Sequence, residues 1–232
     1  MILEISSLQK VYGGRTVVNI SDLQINAGET IGIVGNNGAG KTTLFRMLLD
    51  LIRPDQGQIL SKGSTVINDD QWKEYTASYL DEGYLIDYLT SEEYFIFIGS
   101  LHKMSVAHVM DYLKQFHEFF NDEILGKGKY IRDFSKGNQN KIGIAAALMQ
   151  APELLVLDEP FANLDPTTQI RLRTLIKSLK QEYNMTTLIS SHDLNHVTDV
   201  CDRIILMEKG LIIKDLRTNE NTLRELEEYF SG

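Results

Sequence analysis

An apolar run from Thr30 to Val34 stops on Gly35-Asn36-Asn37-Gly38-Ala39-Gly40-Lys41-Thr42, and a stretch with helical periodicity begins at Lys41. A short apolar run of this kind suits a buried strand. From Lys41 to Ile52 the residues Leu44, Met47, Leu48 and Leu51 recur at helical spacing, and Pro54 and Gly57 close the region. Strand, glycine-rich loop and helix, in that order, are the context in which G-x-x-x-x-G-K-[ST] carries meaning. Small residues let the loop backbone curl until its N–H groups converge on phosphate oxygens. The helix N-terminus adds the positive end of its dipole. Lys41 would place a mobile charge on the β- and γ-phosphates, and the Thr42 hydroxyl would reach Mg²⁺. Thr43 extends the site into the helix. The rival explanation is a glycine-rich turn that precedes a helix by chance, and the flanking strand and helix weigh against it.

A second apolar run, Leu154 to Leu157, ends on Asp158-Glu159-Pro160. A buried strand that stops on adjacent carboxylates delivers both to the C-terminal edge of a sheet, where ligands bind in open α/β folds. Asp158 is placed to hold Mg²⁺ through its water shell. Glu159 is placed to orient or deprotonate a water attacking the γ-phosphate. Alone, two acids at a strand-to-turn junction are common, and the upstream loop gives these their significance.

Around these motifs the chain alternates. Strands are expected at Ile2 to Leu8, Thr16 to Ile20, Leu23 to Ile25, Gln58 to Leu60, Ala77 to Leu80, Leu154 to Leu157, Thr186 to Ser190 and Arg203 to Met207. Gly13-Gly14 marks the first turn. Helices are expected at Thr168 to Tyr183, Asp193 to Cys201 and Leu223 to Phe230. The last has Leu223, Leu226 and Phe230 on one face, to pack on the sheet or extend a dimer. Between about Leu85 and Gln150 glycine thins and helical spacing takes over. Met110, Leu113, Phe116, Phe119 and Phe120 mark one amphipathic stretch, and Ile142, Ile144, Ala145, Leu148 and Met149 another. Alternation predicts a parallel α/β sheet, and the helical middle reads as an insertion into it.

Composition excludes several function classes. The chain has 232 residues, 43% of them hydrophobic and 24% charged, which suits a globular protein with a sizeable core. Asp and Glu number 32 against 23 Lys and Arg, a net charge of −9. Wrapping nucleic acid needs clustered positive charge, so no nucleic-acid partner is expected. The single cysteine, Cys201, rules out a disulfide framework within the chain and suits a reducing compartment. No apolar run is long enough to span a bilayer, and the N-terminus lacks the pattern of a signal peptide. Asn140-Lys141 is followed by Ile142-Gly143, so no N-K-x-D guanine motif is present.

Together these residues resemble the ATP-binding subunits of ABC transporters, over nearly the whole chain. Phe134-Ser135-Lys136-Gly137-Asn138-Gln139 is similar to the family's LSGGQ signature and lies between the two nucleotide motifs. The resemblance implies a P-loop NTPase with a mixed-sheet core, an antiparallel β subdomain toward the N-terminal side and an inserted helical subdomain. The division would be core at 1–84 and 151–218, helical subdomain at 85–150 and C-terminal helix at 219–232. It implies ATP and Mg²⁺ as ligands and ATP hydrolysis as the activity. It further implies a head-to-tail homodimer, or a heterodimer with a second ATPase subunit. There Ser135, Lys136, Gly137 and Asn138 of one subunit would complete the site of the other.

Other residues take roles through the same resemblance. Tyr12 matches the aromatic that stacks on adenine; as a lone tyrosine near a turn it would more often be a packing residue. Ala162-Asn163-Leu164-Asp165 resembles the D-loop at the dimer seam. His192 resembles the switch histidine that contacts the γ-phosphate, against a strand-end histidine satisfied locally. Pairing His192 with His196 as a metal site lacks a third ligand with suitable spacing.

The chain departs from the family at Glu82, where a glutamine is usual, if the alignment there is not off by one. It departs again at Lys136 and Asn138 in the signature. These changes bear on hydrolysis rate more than on binding.

The implied function is an ATPase motor, peripheral on the cytoplasmic face of the cell membrane through a separate permease. The aromatics Tyr84, Tyr88, Tyr94, Phe95 and Phe97 fall where the family receives that permease. Most are expected in the helical core, with one or more of Tyr84, Tyr88 and Tyr94 at the contact. The signature and the single-unit chain lean slightly to exporter-type systems. The alternative is an ABC-type ATP switch or nucleotide sensor with weak hydrolysis and no transport role.

Overall fold

The computed structural model describes residues 1–231, with the side chains of Glu82 and Ser231 outside that description. β1 (Leu3–Tyr12) and β2 (Arg15–Ile25) form a hairpin around Gly13-Gly14, paired from Tyr12↔Arg15 to Leu3↔Ile25 with a register shift between Lys10 and Val11. The short strand expected at Leu23 to Ile25 is the end of β2. A single register with β1 from Leu8↔Ile20 to Leu3↔Ile25 keeps Leu23 and Ile25 turned into the core.

β3 (Thr30–Val34) leads into α1 (Lys41–Leu48). That helix is shorter than its apolar spacing suggested. The Leu51 N–H donates to Arg46 O and the Asp50 N–H to Met47 O, with Asp50 left-handed at φ 49°. This closure ends the helix before Leu51, which faces solvent.

Next come β4 (Gln56–Ser61), β5 (Ser64–Thr65) and β6 (Thr76–Tyr79). The helical middle holds α2 (Ser91–Leu101), α3 (Val106–Tyr112), α4 (His117–Phe120) and α5 (Lys136–Leu148). The single amphipathic stretch expected from Met110 to Phe120 divides into α3, a 3₁₀ turn at Leu113–Phe116 and α4. Leu113 and Phe116, three apart in a three-residue turn, still share a buried side, while Met110 faces solvent. Phe116 and Phe120 stack at 5.6 Å, and Phe95 and Phe120 at 5.9 Å. Among the clustered aromatics Tyr94 and Phe95 are core. Tyr84, Tyr88 and Phe97 are exposed, against the reading of most of them as core.

The last third contains β7 (Leu154–Asp158), α6 (Pro166–Tyr183), β8 (Thr186–Ser191), α7 (Leu194–Val200), β9 (Arg203–Glu208), β10 (Leu211–Arg217) and α8 (Thr222–Ser231). α8 packs back on the body through the fully buried Leu226, and Tyr229 OH donates to Glu208 Oε2 at 2.5 Å.

Two sheets result. One is antiparallel, β2-β1-β4-β5; the other is mixed, β10-β9-β3-β8-β7-β6, parallel throughout except for β10. Alternate residues of β7 enter different cores: Leu155 and Leu157 pack with the helical side, and Leu154 and Val156 with β1, β2 and α1. A strand buried on both faces reads as a continuous apolar run, as Leu154 to Leu157 does. The order β3-β8-β7 sets three neighbouring strands ending side by side, on Gly35, on Ser191-His192 and on Asp158-Glu159.

Candidate nucleotide-binding site

The glycine-rich loop sits at the end of β3 and closes on itself, with Ala39 N–H donating to Asn36 O at 3.0 Å. Gly210, in the β9–β10 turn, donates its N–H to Ala39 O at 2.9 Å and braces the loop from outside. Gly35 tolerates no side chain, since a Cβ there would lie 2.2 Å from Met207 O. Gly38 and Gly40 complete the turn into α1. A cavity of about 190 Å³ is lined by Val17, Asn37, Gly38, Ala39, Gly40, Lys41, Thr42, Thr43 and Glu159. Val17, absent from the residues singled out by motif, sits there because β2 runs beside the loop.

Lys41 is buried and folded back over the loop. Its Nζ donates to Gly35 O at 2.7 Å and lies 3.5 Å from Glu159 Oε1. Asp158 closes β7 and is buried. Burial pushes its carboxyl above the usual carboxylate range, against hydrogen bonds from Ser190 and Thr42 that pull it down. Glu159 takes a left-handed backbone, φ 49°, which swings its carboxylate off the strand line. Its Oε2 is 2.9 Å from His192 Nδ1. Ser190, on β8, ties the two acids together: its hydroxyl donates to Asp158 Oδ1 and accepts the Glu159 N–H at 2.8 Å. Motif reading passed over Ser190. Its only signal was its position at the strand end before His192.

Tyr12 projects from the β1–β2 hairpin with 48% of its surface exposed, so it is not a packing residue. Lys10 Nζ lies 5.3 Å from its ring centroid. Ser135 caps α5, its hydroxyl accepting the Asn138 N–H at 3.3 Å. Gly137, in the first turn, packs so closely on the Asn163 carbonyl that a Cβ would stand 2.4 Å from its oxygen. Asn140 Nδ2 donates to Ala162 O at 2.8 Å, and Asn140 Oδ1 accepts the Tyr79 hydroxyl at 2.7 Å. Asn163 is left-handed at φ 60°. Asp165 caps α6, accepting the N–H groups of Thr167 and Thr168 at 3.0 and 3.1 Å.

The turn after Glu159 is therefore bound to the start of α5 within one chain. Among the described residues, none from Phe134 to Gln139 lines the 190 Å³ cavity. Lys136 belongs to the first turn of α5. Glu82 opens a 3₁₀ turn, Glu82–Tyr84, after β6, and its side chain lies outside the described residues.

A phosphate-type loop on β3, a buried aspartate with a following glutamate on β7, a histidine after β8, and an added antiparallel sheet and helical segment define a P-loop ATPase domain. The family model described as ABC transporter matches residues 18–162, and the chain belongs to that family as an ATP-binding ATPase subunit. The bacitracin transport ATP-binding protein BcrA of Bacillus licheniformis is 34% identical over 220 residues, covering 93% of this chain and 69% of that protein. The aliphatic sulfonates import ATP-binding protein SsuB 3 of Pseudomonas syringae pv. syringae is 33% identical over 218 residues, covering 92% of this chain and 76% of that protein. A solved ATP-binding subunit of an ABC transporter superposes over the whole chain, and 94% of its own, with a TM-score of 0.83 at 25% identity. A dimeric cassette, MJ0796 with ADP and Pi, has the same fold at a TM-score of 0.83 and 21% identity, covering 94% of this chain and 99% of that one.

Proposed function

We propose that the chain is the motor of a membrane transporter, a single ATPase domain that binds ATP at Gly35 to Thr43 and hydrolyses it in a dimer. The carrying observation is the joining of Lys41, Glu159 and His192 at the ends of adjacent strands, 3.5 Å and 2.9 Å apart in sequence of contact. The loop N–H groups and Lys41 hold the phosphates, and the exposed ring of Tyr12 offers a face to the base. Lys41 exchanges Gly35 O and Glu159 for phosphate oxygens. That exchange frees Glu159 to orient a water, while His192 holds its other oxygen.

The donor set fits Mg²⁺. Asp158 and the Thr42 hydroxyl already face one another across a hydrogen bond, and Mg²⁺ prefers one or two carboxylates with water and phosphate oxygens. When bound, the ion would neutralise phosphate charge.

Ser135, Lys136, Gly137 and Asn138 lie outside their own chain's cavity, which supports their use on the nucleotide of a second subunit, identical or not. Asn163 and Asp165 then lie at the seam. The permease would dock at a groove of about 320 Å³ between the sheet edge and the helical segment, lined by Leu51, Thr76, Tyr84, Leu85, Tyr94 and Ile98 among others. Among the described residues no helix is long and apolar enough to cross a membrane, which supports a peripheral place on the cytoplasmic face through the permease. The lean to exporter-type systems rests on the signature and the single-unit chain. The similarity to a sulfonate-import subunit, 33% identical, is close to that to BcrA, 34% identical, which supports leaving direction to the permease.

The test is Glu159→Gln. Phosphate release should fall by at least about a hundredfold while ATP still binds. Turnover at the parent rate would remove Glu159 from its role.

A further inference from the structure

His196 lies one helical turn beyond His192, on α7, and takes no part in the chemistry above. Its ring stacks on Phe161 with centroids 4.7 Å apart and planes at 29°. Phe161 is buried, two residues after Glu159 and two before Asn163. Its backbone is held as well, with Gln169 Nε2 donating to Phe161 O at 3.3 Å. His196 Nε2 lies 3.4 Å from Asp193 Oδ2, and Nδ1 is buried with no hydrogen-bond partner among the described residues.

The contact joins two turns. One carries Glu159 in a left-handed conformation, the other carries His192, and their side chains must meet at 2.9 Å. Strand pairing of β7 with β8 ends at Asp158↔Ser190, so ladder hydrogen bonds do not fix the turns beyond it. The ring pair is a packing contact that spans them beyond that point.

We propose that His196 is a positioning residue: stacked on Phe161, it locks the Glu159 turn against the His192 turn and so sets the hydrolysis step rather than ATP binding. The proposal rests on Glu159 and His192 having the roles given above.

The test compares His196→Ala with His196→Phe in the purified full chain, reading kcat, KM for ATP and ATP affinity by direct titration. His196→Ala should lower kcat by about tenfold, as expected for slight misplacement of a reacting group, with ATP affinity within about twofold. His196→Phe keeps an aromatic partner for Phe161 and should recover kcat to within about threefold of the parent. Should His196→Ala not fold, Phe161→Leu removes the stack from the other side and should show the same split. Parent-level kcat in His196→Ala or Phe161→Leu would overturn the proposal. So would a loss confined to ATP affinity, or a His196→Phe variant as slow as His196→Ala. Glu159→Gln run alongside separates the two readings. A dead Glu159→Gln with an unaffected His196→Ala removes only the positioning role, whereas an active Glu159→Gln removes the reading beneath it.

Discussion

Ser190 is the residue on which both acids of the site depend. Its hydroxyl donates to Asp158 and accepts from the backbone of Glu159, so one buried oxygen holds one carboxylate and the backbone that carries the next. Ser190→Ala would leave Asp158 with one donor fewer and the Glu159 N–H unpaired. kcat should fall by about ten- to a hundredfold, with ATP affinity changed far less, because the loop that binds phosphate keeps its own bonds. Parallel titration and steady-state assays check this, and an unchanged kcat would contradict it.

At this scale the loop and the paired acids were legible because their chemistry demands particular residues at fixed spacing along the chain. Ser190 and Val17 were not, because a serine at a strand end and a valine in a hairpin satisfy many environments. Only the neighbouring strand or loop gives them work. Tyr12 was ambiguous in sequence for the same reason, and its exposure removes only the packing reading.

Among elements, α5 is fastened to the end of α4, within the helical segment, by an ion pair. Lys141, buried in α5, lies 2.8 Å from Glu123, just after α4. The Lys141 hydrogen bond holds the Glu123 carboxyl below its ordinary value of 4.5. A depressed carboxyl contributes stability above its unfolded pKa and loses it as pH falls through the folded value. Glu123→Gln should therefore lower the thermal midpoint at pH 7. The gap between variant and parent should narrow as pH drops below about 4.5. A gap that stays constant down to acid would exclude the pair as its source.

Element types were largely readable from periodicity, whereas their ends were not. α1 stops where Asp50 turns left-handed, β2 runs on because β1 pairs with it, and the Met110 to Phe120 stretch breaks in two. β10 was not among the expected strands; it is an edge strand whose residues alternate between exposed and half-buried, with none fully buried. Tyr84, Tyr88 and Phe97 look like core in sequence and face solvent in the fold. Hydrophobicity alone does not say which side of a segment is covered.

For the whole molecule the account requires surfaces that a single chain leaves incomplete. The groove beside Tyr84 is one. Tyr84→Ala should leave the basal ATPase rate of the isolated chain unchanged and reduce recovery of the permease from detergent-solubilised membranes. Equal recovery would move the docking site elsewhere. The nucleotide cavity is the other, since none of the signature residues lines it within the chain. Here the overall charge of −9 is no obstacle, because phosphate is held by local N–H groups and Lys41 rather than by the net field.

The central claim, that ATP is shared between two chains, is tested most directly by the mass of Glu159→Gln in solution. Sedimentation with ATP and Mg²⁺ should give a dimer, and the same protein with ADP should give a monomer. A monomer under both conditions, with ATP demonstrably bound, would contradict it.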